Sequence, residues 1–145
     1  MIRAVVDTNV LVSGIISHYG APHQIVEAWR GREFALLTSA LIIAEIVRVL
    51  RYPRLQQTYQ LSEEDILLAR DTLLNDALIL EDAYQVTRSL DPSDNMFLAC
   101  ALEGRADYLV TGDSHLAGIK YYHGVQIITP RQFLDVLKAN VGVER

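Results

Sequence analysis

Ile2-Arg3-Ala4-Val5-Val6-Asp7 decides how the rest of the chain is read. Residues 2–6 form a short β-rich apolar run, as expected of a strand buried on both faces. Asp7 ends that run with a carboxylate. The pattern returns in Tyr108-Leu109-Val110-Thr111-Gly112-Asp113, a second apolar run closed by an acid. In open α/β sheets ligands bind beyond the carboxyl ends of the strands, and both aspartates fall there.

Working outward, the chain alternates strand and helix. Residues 22–30 read as a helix with an apolar stripe of Ile25, Val26 and Trp29, and residues 34–37 as a strand. Ser39 is placed to N-cap a helix from Ala40 to about Leu50, stopped before Pro53. Ser62 with Asp65 resembles a capping box that opens a helix to about Leu74. Residues 78–80, 107–110 and 125–128 read as strands, and residues 94–103 and 131–138 as helices. Parallel strands joined by helices predict an α/β fold, a three-layer α/β/α sandwich around a central parallel sheet. The 145 residues suit one domain over residues 1–140, with residues 141–145 as a frayed tail.

Composition narrows the class. Half of the residues are hydrophobic, enough for a globular core. No apolar run approaches the roughly 18 residues of a membrane span, and Asp7 breaks any signal-peptide core. The single cysteine, Cys100, precludes an internal disulfide and fits a reducing cytosol, so a cytoplasmic location is expected. Its apolar neighbours mark it as a core residue and not a nucleophile. A net charge of −5 argues against binding nucleic acid with the whole surface but leaves room for a local basic groove.

Two more carboxylates are hard to read as solvated surface. Glu45 interrupts Leu41-Ile42-Ile43-Ala44 and Ile46-Val47. Its i−4 and i+4 neighbours, Leu41 and Val49, place it on an apolar stripe. Asp94 has Phe97, Leu98 and Ala101 at i+3, i+4 and i+7, so it heads a core-facing stripe. A buried carboxylate is costly unless paired or bound to a metal. Asp7, Glu45, Asp94 and Asp113, with no accompanying Cys or His pattern, suit a hard cation such as Mg2+ or Mn2+. Cations so held are the usual means of cutting phosphodiesters.

Each acid also has a local reading. Asp7 can cap the segment after its strand. Glu45 can pair with Arg48. Asp94 can be the third residue of a helix capped by Asp91 with Pro92 at its first position. Asp113 can be a turn residue after Gly112. For Glu45 the readings differ in outcome. Facing three aspartates, loss of its charge stabilises the metal-free protein; paired with Arg48, the same change barely matters.

Four segments carry a resemblance: Asp7-Thr8-Asn9-Val10-Leu11-Val12, residues 39–45 from Ser39 to Glu45, Asp94-Asn95-Met96-Phe97-Leu98-Ala99, and Val110-Thr111-Gly112-Asp113. In their order and spacing they resemble the PIN-domain family, and within it the VapC-like toxins of type II toxin–antitoxin pairs. The resemblance covers nearly the whole chain. It implies a five-stranded parallel sheet in the order 3-2-1-4-5. It also implies Mg2+- or Mn2+-dependent endoribonuclease activity on RNA, leaving 5′-phosphate and 3′-hydroxyl ends. A homodimer and an antitoxin partner are implied as well. Asp7, Glu45, Asp94 and Asp113 match the family's catalytic and metal-binding quartet; Asn9, Ser39 and Thr111 match its supporting polar positions. Thr8 offers a further hydroxyl. Many relatives carry another acid where His115 stands here, which leaves open whether one or two metal ions bind. Asp91, as a helix cap, and Asp107, as the first residue of a strand, are further acids able to support the site.

RNA needs positive charge. Arg48, Arg51 and Arg54 recur every three residues and could track phosphates, or form a solvated stripe paired with acids. Tyr52, Tyr59, Tyr121 and Tyr122 could stack bases or simply pack. The loop His18-Tyr19-Gly20 could border the groove, and apolar surface on the first two of the helices read here could supply a dimer face. Two other functions compete. A haloacid-dehalogenase-type phosphatase wants a second acid two residues after Asp7, where Asn9 stands, and a late lysine, for which only Lys120 and Lys138 are available. A non-catalytic PIN module binding RNA or protein would be expected to have lost acids, and all four are kept.

Overall fold

The computed structural model describes residues 1–87 and 92–143. A sheet of six strands is flanked by helices, in the order β3-β2-β1-β4-β6-β5. The strands are β1 Arg3–Val6, β2 Ala35–Ser39, β3 Leu78–Leu80, β4 Tyr108–Val110, β5 Tyr121–Tyr122 and β6 Val125–Ile128. The helices are α1 Thr8–Ile16, α2 Ala21–Arg30, α3 Ala40–Leu50, α4 Pro53–Tyr59, α5 Glu63–Asp76, α6 Pro92–Glu103, α7 Ser114–Ala117 and α8 Pro130–Val143.

The five parallel strands implied by the resemblance are present in the implied order, with β6 as the fifth. The sheet has one strand more. β5 pairs antiparallel with β6 through Tyr122↔Val125, leaving His123 and Gly124 as a two-residue turn. Both turn residues have positive φ, 47° and 91°, the combination a tight hairpin of this hand requires. Glycine meets that demand freely, histidine less so, and a strand of two residues carries no periodicity to read.

Helix α1 is the larger difference. It follows β1 directly, with Asp7 as N-cap accepting from the Val10 N–H at 2.9 Å. Val10, Val12, Ile15 and Ile16 are β-branched and Gly14 is a poor helix former, so local propensity speaks against a helix. Tertiary burial of Val10, Leu11 and Val12 overrides it. Gly14 is where α1 and α2 cross: a Cβ there would lie 2.5 Å from the Pro22 carbonyl oxygen. The remaining additions, α4 and α7, are short helices of 7 and 4 residues.

Elsewhere the expected punctuation holds. Ser39 caps α3 through the Ile42 N–H at 3.3 Å, and Ser62 and Asp65 close a reciprocal capping box on α5. α6 packs across β1, β2 and β4, bringing Phe97, Leu98 and Ala101 into the core as expected. Cys100 is buried with them, and burial pushes its thiol up to about 12, which makes it inert. No helix among the described residues is long and apolar enough to cross a membrane. Large exposed apolar side chains gather on α5 and β3 (Leu68, Leu74, Leu78, Ile79), with Leu41 on α3 and none on α2. The dimer face expected on the first two helices of the sequence reading therefore has little apolar surface to offer. Glu144 and Arg145, at the end of the expected tail, and Asp91, the expected cap of α6, lie outside the described residues.

Candidate metal centre

β1 and β4 are neighbours in parallel register, Val6 opposite Val110, so Asp7 and Thr111 leave the sheet side by side. The Asp7 N–H donates to the Val110 carbonyl at 3.0 Å, carrying the ladder one step past the strand. The Thr111 hydroxyl, fully buried, donates to Asp7 Oδ2 in a very short contact and accepts from the Asp113 N–H at 3.0 Å. Asp113 in turn caps α7: its Oδ1 accepts from the His115 N–H at 2.8 Å, with His115 Nδ1 3.5 Å away. One threonine thus ties the two strand-end aspartates into a single unit.

Asp7 is buried, and its carboxyl is pushed above its ordinary range. Burial is the leading cause; the Asp113 charge adds to it, and hydrogen bonds from Thr111, Val10 and Gly112 oppose it. The ionised form is therefore short of positive charge. Nearby hydroxyls point the same way. Thr8 Oγ1 and Thr38 Oγ1 are buried without a hydrogen-bond partner among the described residues, and such orphaned groups require a reason. Thr38 was not a candidate from sequence; the available signal was a hydroxyl in the otherwise apolar run of β2. Ser39 is buried at the carboxyl end of β2, while Asn9 points to solvent from α1.

Asp94 is buried in the first turn of α6, its third residue. Asp107 sits at the opposite end of the sheet, bonded to the Arg3 N–H at 2.9 Å, and immediately precedes β4.

Glu45 differs from its expected setting. α3 buries Ile42, Ile43, Ile46 and Leu50 and turns Leu41, Ala44 and Arg48 outward. Leu41 is 57% exposed, so the apolar residue one turn before Glu45 does not mark a buried stripe. The Glu45 side chain, 26% exposed, takes a bidentate ion pair from Arg48, with Nη2 at 2.6 Å and Nε at 3.1 Å. Arg48 also donates from Nη1 to the Tyr52 hydroxyl at 2.6 Å, its guanidinium carbon 5.4 Å from the ring centroid. Pairs this open to water contribute little to stability. Of the other arginines, Arg51 is held by Glu63 on α5, and Arg54 makes no ion pair among the described residues. Tyr59 and His18 line a cavity of about 570 Å³ between the α1–α2 and α4–α5 pairs; Tyr121 and Tyr122 form the β5 edge.

The structure thus joins Asp7, Thr111 and Asp113 and turns Glu45 to Arg48. Among the described residues, no three acidic, imidazole or thiol side chains lie close enough together to hold an ion. The chemistry of the donors nevertheless fits a hard divalent cation. All are oxygens, and the central carboxylate is buried with too little positive charge around it.

Comparison with known proteins bears on the whole arrangement. The chain is 28% identical over 142 residues to uncharacterized protein MJ1680 of Methanocaldococcus jannaschii, covering 92% of this chain and 90% of that one. Its fold matches VapBC2 from Rickettsia felis, solved with a DNA fragment from their promoter, at a TM-score of 0.60 and 15% identity. FitAcB from Neisseria gonorrhoeae matches at a TM-score of 0.52 and 14% identity. Each match covers 88% of this chain and 98% of the other. The PIN domain profile matches residues 3–115, from the first residue of β1 past the Asp113 cap, and the chain belongs to the PIN-domain family.

Proposed function

We propose that this chain is a divalent-metal-dependent endoribonuclease, acting on RNA as the toxin of a toxin–antitoxin pair. The observation that carries the reading is the buried Asp7 carboxyl, tied through Thr111 to Asp113 at the carboxyl end of the central strands. Asp7, Asp113 and Asp94 are the residues that would hold Mg2+ or Mn2+, with Glu45 as the fourth acid. A divalent cation bound there supplies the positive charge that activates water and offsets charge developing at phosphorus.

The chain's own residues do the rest. Thr111 fixes the Asp7 carboxylate by donating to one oxygen, while the Val10 N–H holds the other. Both contacts limit rotation of the carboxylate, so it presents a defined pair of oxygens. The N-terminus of α1 directly behind Asp7 favours negative charge there. Thr8, whose buried hydroxyl has no partner among the described residues, and Ser39 offer hydroxyls for water beside the site. Of Arg48, Arg51 and Arg54, the first two are paired with Glu45 and Glu63, so Arg54 is the one of the three whose charge is open to a phosphodiester among the described residues. The antitoxin is supported by the likeness to VapBC2 and FitAcB.

The test is cleavage of mixed single-stranded RNA in manganese, with and without chelator. Manganese-dependent fragments with 5′-phosphates are the expected result; no cleavage, or cleavage indifferent to chelator, overturns it. The Glu45–Arg48 pair favours one alternative, a PIN module that binds RNA without cutting it. RNA binding with no fragments under any divalent metal would select that alternative.

A further inference from the structure

Phosphates need cations that no acid of the chain has already claimed. Arg48 and Arg51 fail this condition, since Glu45 and Glu63 hold them. The β5 edge of the sheet meets it. The sequence has no Asp or Glu between Asp113 and Asp135, its longest acid-free stretch, in a chain of net charge −5. That stretch builds α7, β5, β6 and the start of α8, and it carries Lys120 and Arg131. Both are exposed, and neither makes an ion pair among the described residues.

Register places this edge beside the strand-end aspartates. Ile128 pairs with Val110, and the Thr111 N–H donates to the Ile128 carbonyl at 3.0 Å. Residues 129–131 therefore leave the sheet at the same end as Thr111 and Asp113, one strand along. Thr129 and Gln132 cap each other across the first turn of α8, which fixes the turn that carries Arg131. One strand further out, the Ile127 N–H donates to the Lys120 carbonyl at 2.9 Å. Neighbouring strands lie about 4.8 Å apart, so the Lys120 backbone is roughly 10 Å across the sheet from β4. Lys120 holds a left-handed backbone at φ 64°, where glycine would sit without strain, so its side chain is kept at a cost. Tyr121, 64% exposed, follows it. Cross-strand partners share a face of the sheet. Tyr121 opposes Gln126, Gln126 opposes Tyr108, and the Tyr108 ring packs on Phe133 of α8 with centroids 5.9 Å apart. Tyr121 and the helix that carries Arg131 thus stand on one face.

We propose that Arg131, Lys120 and Tyr121 form a rail for single-stranded RNA leading to the Asp7–Thr111–Asp113 centre. Phosphates lie on Arg131 and Lys120, and an unpaired base stacks on the Tyr121 ring. A duplex keeps its bases stacked on one another and has none to offer the ring. The inference rests on the nuclease reading and deepens it, naming the strand requirement and the surface that meets it.

The test is fluorescence anisotropy on the full chain in manganese, across a salt series. The probe is a 2′-O-methyl phosphorothioate decamer, which resists hydrolysis, used single-stranded and as its duplex. The single strand should bind more tightly than the duplex. Arg131→Gln and Lys120→Gln should each flatten the slope of log K against log salt by about 0.7, one phosphate contact on a single strand. Tyr121→Ala should weaken binding about tenfold with the slope unchanged, while Tyr121→Phe keeps the parent affinity. Arg105→Gln, which removes the same charge before β4 at the opposite end of the sheet, should leave the slope alone. An unchanged slope in Arg131→Gln or Lys120→Gln, an equal change in Arg105→Gln, parent affinity in Tyr121→Ala, or duplex binding as tight as the single strand's overturns the rail. Cleavage of RNA in manganese by the same parent preparation then leaves the nuclease reading standing. A parent that cuts RNA yet binds no decamer also overturns the rail alone, and one that neither binds nor cuts overturns both.

Discussion

Asp7 sits where β1 runs straight into α1, sealed from water and contacted by neutral donors. Glu45 sits on the shoulder of α3, partly open to water and matched by a guanidinium. Both are acids that the sequence marks as out of place among apolar neighbours, yet only one carries an unmet electrostatic demand. The difference lies in the medium. A charge in the interior must find a counter-charge or take up a proton, whereas a partly exposed charge is served by solvent and a surface arginine. Apolar neighbours in sequence therefore do not by themselves identify a functional acid.

Four measurements on three variants would break or sharpen this contrast. The largest effect is on activity. Asp7→Asn keeps the shape and the Val10 contact through its amide oxygen, turns the Thr111 contact round so that the amide NH2 donates to the hydroxyl, and removes the charge. RNA cleavage in manganese should fall by about two orders of magnitude or more, the scale on which loss of a group acting in the transition state is felt, with the circular dichroism spectrum unchanged. Cleavage at the parent rate would remove Asp7 from the centre.

The second effect is on the metal-free protein. The Asp7 carboxyl is raised in the folded state, mainly by burial. Its contribution to stability is then complete below the unfolded value of about 3.9, and is lost as pH rises through the folded value. Asp7→Asn should therefore make the metal-free chain more stable at neutral pH, by on the order of 1 kcal/mol for relieving an under-compensated buried group. The gain should shrink toward pH 4. Urea melts in chelator across this range measure it, and a variant less stable at pH 7 would contradict the burial argument.

Third, Ser39→Ala removes the N-cap of α3. A loss of about 1 kcal/mol is expected, independent of pH from 5 to 8, and a pH-dependent loss would mean that the serine serves a titrating neighbour. The smallest effect belongs to Glu45→Gln. In chelator its melting temperature should stay within about 1 °C of the parent's, because exposed pairs contribute little. A clear rise would mean that Glu45 faces the aspartates after all.

Much of this was legible in the sequence. The apolar runs before Asp7 and Asp113 marked two strand ends, and parallel neighbours place such ends together. Ser39 and Ser62 announced their helices because a cap is a local hydrogen bond. α1 was hidden because β-branched residues and Gly14 contradict it locally, and only packing against α2 decides it. β5 was hidden because two residues carry no pattern. The stripe on which Glu45 lies was misread for a different reason. α3 is apolar almost all round, so spacing alone does not say which of its stripes faces the core. Leu41 lies on the outward one. The tie between Asp7 and Asp113 through Thr111 is a contact over 104 residues, beyond any local rule.

The most direct test of the central claim is a calorimetric manganese titration of the metal-free parent chain and Asp7→Asn at neutral pH, before any RNA is added. The buried-aspartate account predicts saturable binding by the parent and none by the variant at the same concentrations. Equal binding by the two proteins, or no binding by the parent, would contradict it.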